Sequence, residues 1–324
     1  MQNPRFSVDQ TGLSHQREPA NLKILFHTIA LNRCDLLRQT IDSIDTQYDW
    51  DLLLHFVSED PEIAEYISSG RIAPDAENEF IHSIGYNIGV AHCFNEALYL
   101  GYEKGDYDYV FLINSDIRFY PGDIDRMISL AEEYPDKALI TVRGTHGKHG
   151  DDWKHSHGLA ACILMPDAFR EVGYFDENIF PAYFEDCDYF YRVRLARGDE
   201  ITNEHSSLEN VENPLVASLL TGKTHHEGSS VIYSDRRILK LNSFFFNGNK
   251  DYYIAKWGGE NDHEKYRIPF GKIDSLRIDC DDRAQPYGRP YDRTREKKLY
   301  LAFSKNRSLL RLMVLKGYNL FRRD

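Results

Sequence analysis

The segment DYVFLINSDIRF, residues 108–119, joins the most strand-like run in the chain to a short polar triplet. Residues 109–113 are apolar, which is typical of a buried strand, and Asn114, Ser115 and Asp116 follow at once. Ligands of open α/β sheets bind beyond the carboxyl ends of strands, where an aspartate can coordinate a hard cation. A turn or a helix cap accounts for the same aspartate without a ligand, so this segment alone leaves both interpretations open.

Outward from this segment, short apolar runs alternate with amphipathic ones. The runs typical of strands are KILFHTIA, DLLLHFVS, EFIHSIG, ALITV and LAACILM. The runs with helical spacing are CDLLRQTIDSI, GVAHCFNEALYLG and PGDIDRMISLAEEY. This β-α-β-α order predicts an α/β fold with a mostly parallel sheet covered by helices on both faces.

The composition is that of a soluble globular protein, with 324 residues, 42% hydrophobic and 28% charged. No apolar run reaches the roughly 18 residues of a membrane span, and the first 21 residues lack the pattern of a secretory signal. Five cysteines, none in a CxxC pair, indicate reduced thiols and argue against a zinc knuckle. We therefore expect a cytoplasmic protein.

The chain divides by character into a loose lead-in at residues 1–20, a main domain at 21–232 and a C-terminal extension at 233–324. The extension combines an aromatic, helical cap with a basic amphipathic helix. Residues 292–324 hold ten Lys/Arg and three Asp/Glu, so the rest of the chain carries a net charge of −19 within a total of −12. The acidic body disfavours nucleic acid as a partner and suits divalent metal binding. The basic tail fits docking on an anionic membrane surface, or packing on its own domain or on a second subunit.

A second polar cluster lies in GYFDENIFPAYFEDCDYFYRVRLARG, residues 173–198. Glu185, Asp186 and Asp188 crowd the start of a predicted helix, where helix capping and an i,i+4 ion pair between Asp188 and Arg192 would explain them. The surrounding aromatic residues favour a partly desolvated cleft instead, which would raise a carboxyl pKa and suit a general base.

A third segment, KTHHEGSS at residues 223–230, places His225 and His226 in a predicted loop, either as metal ligands or in a structural role. Three familiar motifs are absent. There is no GxGxxG, the TGKT of residues 221–224 has Ala217 where a P-loop needs glycine, and HHEG is not HExxH. These absences argue against a dehydrogenase, a P-loop NTPase and a metalloprotease.

Together, in this order and spacing, ALNRCDLLRQTIDSI, NIGVAHCFNEAL, NSD, GYFDENIF…YFEDCDYFYR and HHEGSS resemble the family-two glycosyltransferases. The resemblance covers roughly residues 22–230 and is strongest to the rhamnosyltransferase-like branch of polysaccharide biosynthesis. It implies a GT-A (Rossmann-like) fold with a C-terminal helical extension.

The resemblance also implies where a nucleotide-diphosphate sugar and its Mn²⁺ or Mg²⁺ would bind. Asp116 would hold the cation with His225, or with His226 in its place. Either Glu59 or Asp60 would hold the base or ribose. The other implied nucleotide-sugar contacts are Thr28, Ala30, Arg33, Asn87, Gly89, Asn95, Asn114 and Ser115.

For the chemistry, the resemblance implies an inverting transfer with Asp186 as the general base. Glu185 and Asp188 would bind acceptor hydroxyls or orient the base. Trp153, Tyr183 and Trp257 are candidate acceptor contacts, although Trp257 would equally serve in core packing. The acceptor would be a glycan or a lipid-linked glycan, which places the enzyme in the cytoplasm or peripherally at the inner face of a membrane.

Two other functions fit the same residues: transfer to a protein or to a modified nucleic-acid base, and sugar-nucleotide binding without turnover. The joint presence of Asp116, Glu185, Asp186 and His225 argues against loss of turnover. A nucleotidyltransferase would need a Gly-rich, basic loop after the first strand, which HTIALNRCD lacks.

Overall fold

The computed structural model of the chain describes residues 22–56, 60–84, 88–105, 107–146, 155–156, 158–198, 215–227 and 236–271. Its strands are β1 Lys23–Ala30, β2 Asp49–Phe56, β3 Glu79–Ser83, β4 Tyr109–Asn114, β5 Ile117–Arg118, β6 Leu139–His146, β7 His155–Ser156, β8 Ala161–Leu164 and β9 Val216–His226. Its α-helices are α1 Cys34–Asp42, α2 Pro61–Ser68, α3 Val90–Leu98, α4 Asp123–Glu133, α5 Pro166–Val172, α6 Glu185–Arg197 and α7 Arg236–Trp257. The apolar runs predicted as strands and the periodic runs predicted as helices are confirmed.

The strands form one sheet in the order β3-β2-β1-β4-β8-β6-β9-β5, with β7 beside β6. Strands β3, β2, β1 and β4 run parallel, as predicted. Strand β8 enters antiparallel between β4 and β6. Parallel neighbours need a long crossover, whereas the part of the β6–β8 connection that the structure describes has only β7 and the short turn Gly158–Ala160. Strands β6 and β9 are again parallel to each other. The sheet is therefore mixed, with two parallel parts and the antiparallel β8 between them.

Helices cover both faces of the sheet, which confirms the predicted layers. On one face, Leu37 of α1, Ile63 of α2 and Met127 of α4 pack with Phe26 and other strand residues. On the other face, Phe94 of α3, Phe169 of α5 and Tyr189 of α6 pack with strand residues such as Leu25. Neighbours such as Leu25 and Phe26 serve opposite faces because successive strand side chains alternate.

The carboxyl ends of the parallel strands share one edge of the sheet, here called the carboxyl edge. Ala30 at the end of β1 pairs with Phe56 at the end of β2, and Ile29 pairs with Asn114 at the end of β4. Helix α3 starts with its N-terminus near this edge because it follows β3 after a short connection. Side chains that extend beyond Ala30, Phe56 and Asn114 are thus brought together.

Helix α7 packs against the segment at residues 173–198. Tyr252 donates a hydrogen bond to Asp176, and Tyr191 and Trp257 pack edge to face. Among the described helices, none combines the length and apolar character needed to cross a membrane. The lead-in at residues 1–20 and the basic tail lie outside the described residues, and the domain boundaries stay a prediction.

Candidate active site

Asp116 stands at the carboxyl edge, between the end of β4 and the short strand β5. Asn114 is exposed, whereas Ser115 and Asp116 are 4% and 6% exposed. The amide of Glu227 donates a 3.1 Å hydrogen bond to the carbonyl of Asp116. This places the aspartate beside the end of β9, the strand that carries the two histidines.

The histidine beside Asp116 is His226. Its Nε2 lies 3.2 Å from Asp116 Oδ1, and both side chains are largely buried. His225 pairs elsewhere, with its Nδ1 2.7 Å from Thr145 Oγ1 and its Nε2 3.3 Å from Glu227 Oε1. Strand β9 pairs with β5 here, so adjacent histidines point to opposite sides. The preference for His225 over His226 is therefore corrected.

Arg33 brings a positive charge to the same place. It precedes α1 in a left-handed conformation, with φ of 60°, and its guanidinium forms a 2.7 Å ion pair with Asp35. Its pKa is raised mainly by the hydrogen bond to Asp35, and further by the charges of Glu227 and Asp116. A guanidinium within electrostatic reach of Asp116 suits the binding of a diphosphate.

The acidic segment begins at a strained turn immediately before α6. Tyr183 and Phe184 both have positive φ, 75° and 74°, which is costly for large side chains. Asn249 of α7 donates to the carbonyls of Ala182 at 2.9 Å and Tyr183 at 3.2 Å. It also accepts a 3.4 Å hydrogen bond from the amide of Phe180. The strained turn is thus held in place by a side chain from another helix.

Glu185 and Asp186 follow this turn as the first residues of α6. Asp186 Oδ1 accepts a 2.7 Å hydrogen bond from the amide of Cys187. Glu185 Oε2 is shielded from solvent and has no hydrogen-bond partner among the described residues. Burial, together with the charge of Asp186, raises the pKa of Glu185 to about 8. Near neutral pH the Glu185 carboxyl is therefore largely protonated.

The surroundings of Asp188 favour a structural role over the predicted contact with an acceptor. The Asp188 carboxylate is fully buried and is engaged by Arg192 at 2.9 Å, Lys256 at 2.5 Å and Trp257 Nε1 at 2.9 Å. Lys256, itself fully buried, also pairs with Asp176 at 2.8 Å. These partners saturate Asp188, so its role is structural. The capping and ion-pair interpretation of Asp188 is closer to what is seen.

Two further residues predicted as ligand contacts are buried in this structure. Trp257 is 1% exposed, so it packs in the core and cannot meet an acceptor. Asn95 is also 1% exposed, and its amide is committed to the backbone of Phe175 at 2.7 and 3.0 Å and to Glu177 at 3.1 Å. Asn95 therefore fastens α3 to the segment before α6 and does not face a nucleotide.

The remaining predicted residues are buried, take part in helix starts, or lie outside the described residues. Thr28 and Ala30 are buried at the end of β1. Asp60 caps α2 by accepting hydrogen bonds from the amides of Glu62 and Ile63. Gly89, with φ of 105°, starts α3 where an added Cβ would lie 3.5 Å from Phe180 Cβ and Pro181 O. Three predicted residues lie outside the described residues: Glu59, Asn87 and Trp153.

An aromatic pair stands open beside the acidic segment. Tyr183 is 36% exposed and Phe246 of α7 is 39% exposed, with their rings 5.5 Å apart at 69°. Phe184 packs on the same Phe246 ring at 5.2 Å. Tyr183 was predicted from the sequence as an acceptor contact, whereas Phe246 and Asn249 were not, because only the docking of α7 brings them to the turn.

Comparison with known proteins gives one informative match. No family model matches the chain. A galactofuranosyl glycosyltransferase of Leishmania donovani is 26% identical over 192 residues, which cover 42% of this chain and 44% of that protein. The chain thus spans less than half the length of this curated relative.

The similarity of this chain to solved structures is low. TarS of S. aureus in complex with UDP has a TM-score of 0.45 at 9% identity, covering 74% of this chain and 72% of that one. The mannosyltransferase PcManGT of Pyrobaculum calidifontis, in complex with GDP-Man and Mn²⁺, has a TM-score of 0.44 at 9% identity, covering 71% and 64%. Likeness at this level is too weak to argue from, so the comparison depends on the sequence match. The resemblance to glycosyltransferases indicated by the sequence motifs is confirmed, in an α/β fold with a helix-flanked sheet.

Proposed function

We propose that the chain is a metal-dependent, inverting glycosyltransferase that moves a sugar from a nucleotide-diphosphate donor to a hydroxyl of a glycan or glycolipid. One observation carries this proposal: two chemically different acidic sites are anchored at the same edge of the sheet. Asp116 follows β4 at that edge. The amide of Val90, the first residue of α3, donates a 2.7 Å hydrogen bond to Pro181, just before the turn that leads to Glu185 and Asp186.

The first site suits a divalent cation and a diphosphate. Asp116 and His226 offer a carboxylate and an imidazole 3.2 Å apart, a donor set that accepts Mn²⁺. A bound cation would neutralise the diphosphate leaving group. Arg33, within electrostatic reach of Asp116, would take a share of the same charge. Leaving-group stabilisation is what sugar transfer from such donors requires.

The second site suits proton transfer from an acceptor. Asp186 sits in the first turn of α6, directly after the turn that α7 holds in place. It would accept the proton of the acceptor hydroxyl as that oxygen attacks the anomeric carbon. Glu185 beside it is largely protonated near neutral pH, so it would leave Asp186 as the charged member of the pair and would help to orient that base. Tyr183 and Phe246 offer open rings on which a sugar would stack.

A thermal-shift experiment tests the donor site directly. UDP, dTDP, GDP and CDP are each added with and without Mn²⁺ to the full chain and to Asp116→Asn. One diphosphate should raise the melting temperature only with Mn²⁺, since a ligand at 100 times its Kd stabilises by about 2.7 kcal/mol. Asp116→Asn should lose the shift, whereas Asp167→Asn, at an exposed position on α5, should keep it. No metal-dependent shift with any diphosphate would contradict the proposal.

A further inference from the structure

A connected cluster of histidines and glutamates lies beside the ends of β2 and β3 and shares no residue with either proposed site. Its inner members are His55 of β2, His82 of β3 and Glu96 of α3. His55 and His82 are direct partners in the parallel pairing of the two strands. One ligand atom from each of the three lies within 4.8 Å of the others.

The distances converge on one oxygen atom. Glu96 Oε2 lies 2.6 Å from His55 Nε2 and 3.3 Å from His82 Nδ1. His55 is fully buried, Glu96 is 35% exposed and His82 is 50% exposed. The cluster therefore has a fixed inner wall and an open outer side that solvent and ions can reach.

Neighbouring side chains contact His55 and Glu96 on the side away from the proposed ligand atoms and so fix their orientation. His27 Nε2 lies 2.9 Å from His55 Nδ1, which leaves His55 Nε2 pointing at Glu96. His92 Nε2 lies 3.3 Å from Glu96 Oε1, and its Nδ1 lies 3.0 Å from Glu177 Oε2. Glu96 thus keeps Oε1 for His92 and presents Oε2 to the histidines. Such support of each ligand from its far side is characteristic of protein metal sites.

We propose that His55, His82 and Glu96 form a binding site for a divalent transition-metal ion, with Zn²⁺ as the best match. Two imidazoles and one carboxylate are a donor set that zinc accepts, and three protein ligands leave a fourth position for water. Tetrahedral zinc with bonds near 2 Å separates its ligand atoms by about 3.3 Å. The His82–Glu96 distance already matches this value, and the His55–Glu96 pair has to open by under 1 Å.

Metal binding here changes where two protons reside. Without metal, the tautomers that satisfy both contacts have His27 Nε2–H donating to His55 Nδ1 and His55 Nε2–H donating to Glu96. With metal on His55 Nε2, the His55 proton moves to Nδ1 and is donated to His27 Nε2. His27 then carries its own proton on Nδ1, an atom with no hydrogen-bond partner among the described residues. His27 is therefore a positioning residue for the site and not a ligand.

The test measures metal binding by the full chain after removal of bound metal with a chelator. Zn²⁺ affinity is read by equilibrium dialysis, and Co²⁺ is read from its visible absorption as a spectroscopic substitute. His82→Ala and Glu96→Gln should each lower Zn²⁺ affinity by about tenfold or more, since even outer residues of metal sites cost 10–100-fold. His263→Ala, at an exposed histidine after α7, should bind Zn²⁺ as the unmodified chain does. All four proteins carry Asp116→Asn as a common background, so that the dialysis reports this cluster and not the donor site.

Thermal melting of the metal-free variants shows whether each of them is folded. If Glu96→Gln does not fold, the test depends on His82→Ala, because the His82 side chain is half exposed and its removal should not disturb the fold. Unchanged Zn²⁺ affinity in His82→Ala would overturn the proposal. So would an unmodified chain that binds neither Zn²⁺ nor Co²⁺. Since nucleotide shifts are not part of this readout, the site stands or falls separately from the donor site.

Discussion

At the scale of single residues, the proposed chemistry depends on Asp186. Asp186→Asn keeps the shape of the side chain but cannot accept a proton, so transfer should fall by about 10²–10⁴-fold. Donor binding should be nearly unchanged. Sugar transfer and the nucleotide-induced thermal shift measure the two properties separately. Asp167→Asn on α5 is the matched control, and loss of donor binding in Asp186→Asn would remove Asp186 from the base role.

Glu185 makes a prediction about pH. Its folded-state pKa of about 8 lies above the ordinary value of 4.5, so the folded chain holds this proton more tightly than the unfolded chain. The resulting stability is fully present below pH 4.5 and is lost as pH rises towards 8. The side chain in Glu185→Gln cannot ionise, so this variant should not lose stability for this reason as pH rises.

Melting temperatures of both proteins between pH 5 and pH 9 check this. As pH rises from 5 to 9, the melting temperature of Glu185→Gln should increase relative to that of the unmodified chain by at least about 2 °C. Parallel pH profiles for the two proteins would show that the Glu185 pKa is not raised.

At the scale of elements, helix α7 supplies the charge that completes the acidic segment. Lys256 of α7 lies fully buried between Asp176 and Asp188. Lys256→Met would leave both carboxylates buried without this partner, which costs about 3–5 kcal/mol. Urea denaturation of the unmodified chain and the variant gives the difference in free energy of unfolding.

Lys250→Met, on the same helix, is the control for this substitution. Lys250 pairs with Glu260 at 2.8 Å, but the two side chains are 39% and 61% exposed. An exposed pair of this kind contributes about 0–1 kcal/mol. Equal losses in the two variants would contradict the structural role assigned to Lys256.

The elements themselves were predictable from sequence, because apolar spacing decides which side of a strand or helix meets the core. The residues that tertiary pairing arranges were not. His225 and His226 are neighbours in sequence, and only the pairing of β9 with β5 shows that His226 meets Asp116. Asp188 resembled the other acids at the start of α6 until Lys256 and Trp257 were seen to enclose it.

At the scale of the whole molecule, the acidic body and the basic tail bear opposite charge. We expect the full chain to bind vesicles that contain anionic lipid and not neutral ones. Each Lys or Arg near such a surface contributes about 1 kcal/mol. Reversing four tail charges to glutamate should therefore release the protein. The four positions are Arg311, Lys316, Arg322 and Arg323.

Vesicle flotation at low and moderate salt measures this binding. Reversal of Lys104, Lys137, Arg170 and Lys265, which lie in the described body, controls for total charge and should leave binding intact. Vesicle binding that survives reversal of the tail charges would contradict the membrane role and favour a tail that packs on protein.

The placement of Lys256 also orders events during synthesis. It follows its partner Asp176 by 80 residues. A ribosome that adds about 5–20 residues per second needs about 4–16 s to cover that length. In this interval the nascent chain already has β1 to β4 and Asp116, but Lys256, which pairs with both Asp176 and Asp188, has yet to be made. The turn before Glu185 and Asp186 is therefore among the last parts to be fixed, and a chain arrested before residue 256 would carry the strands without an ordered acidic pair.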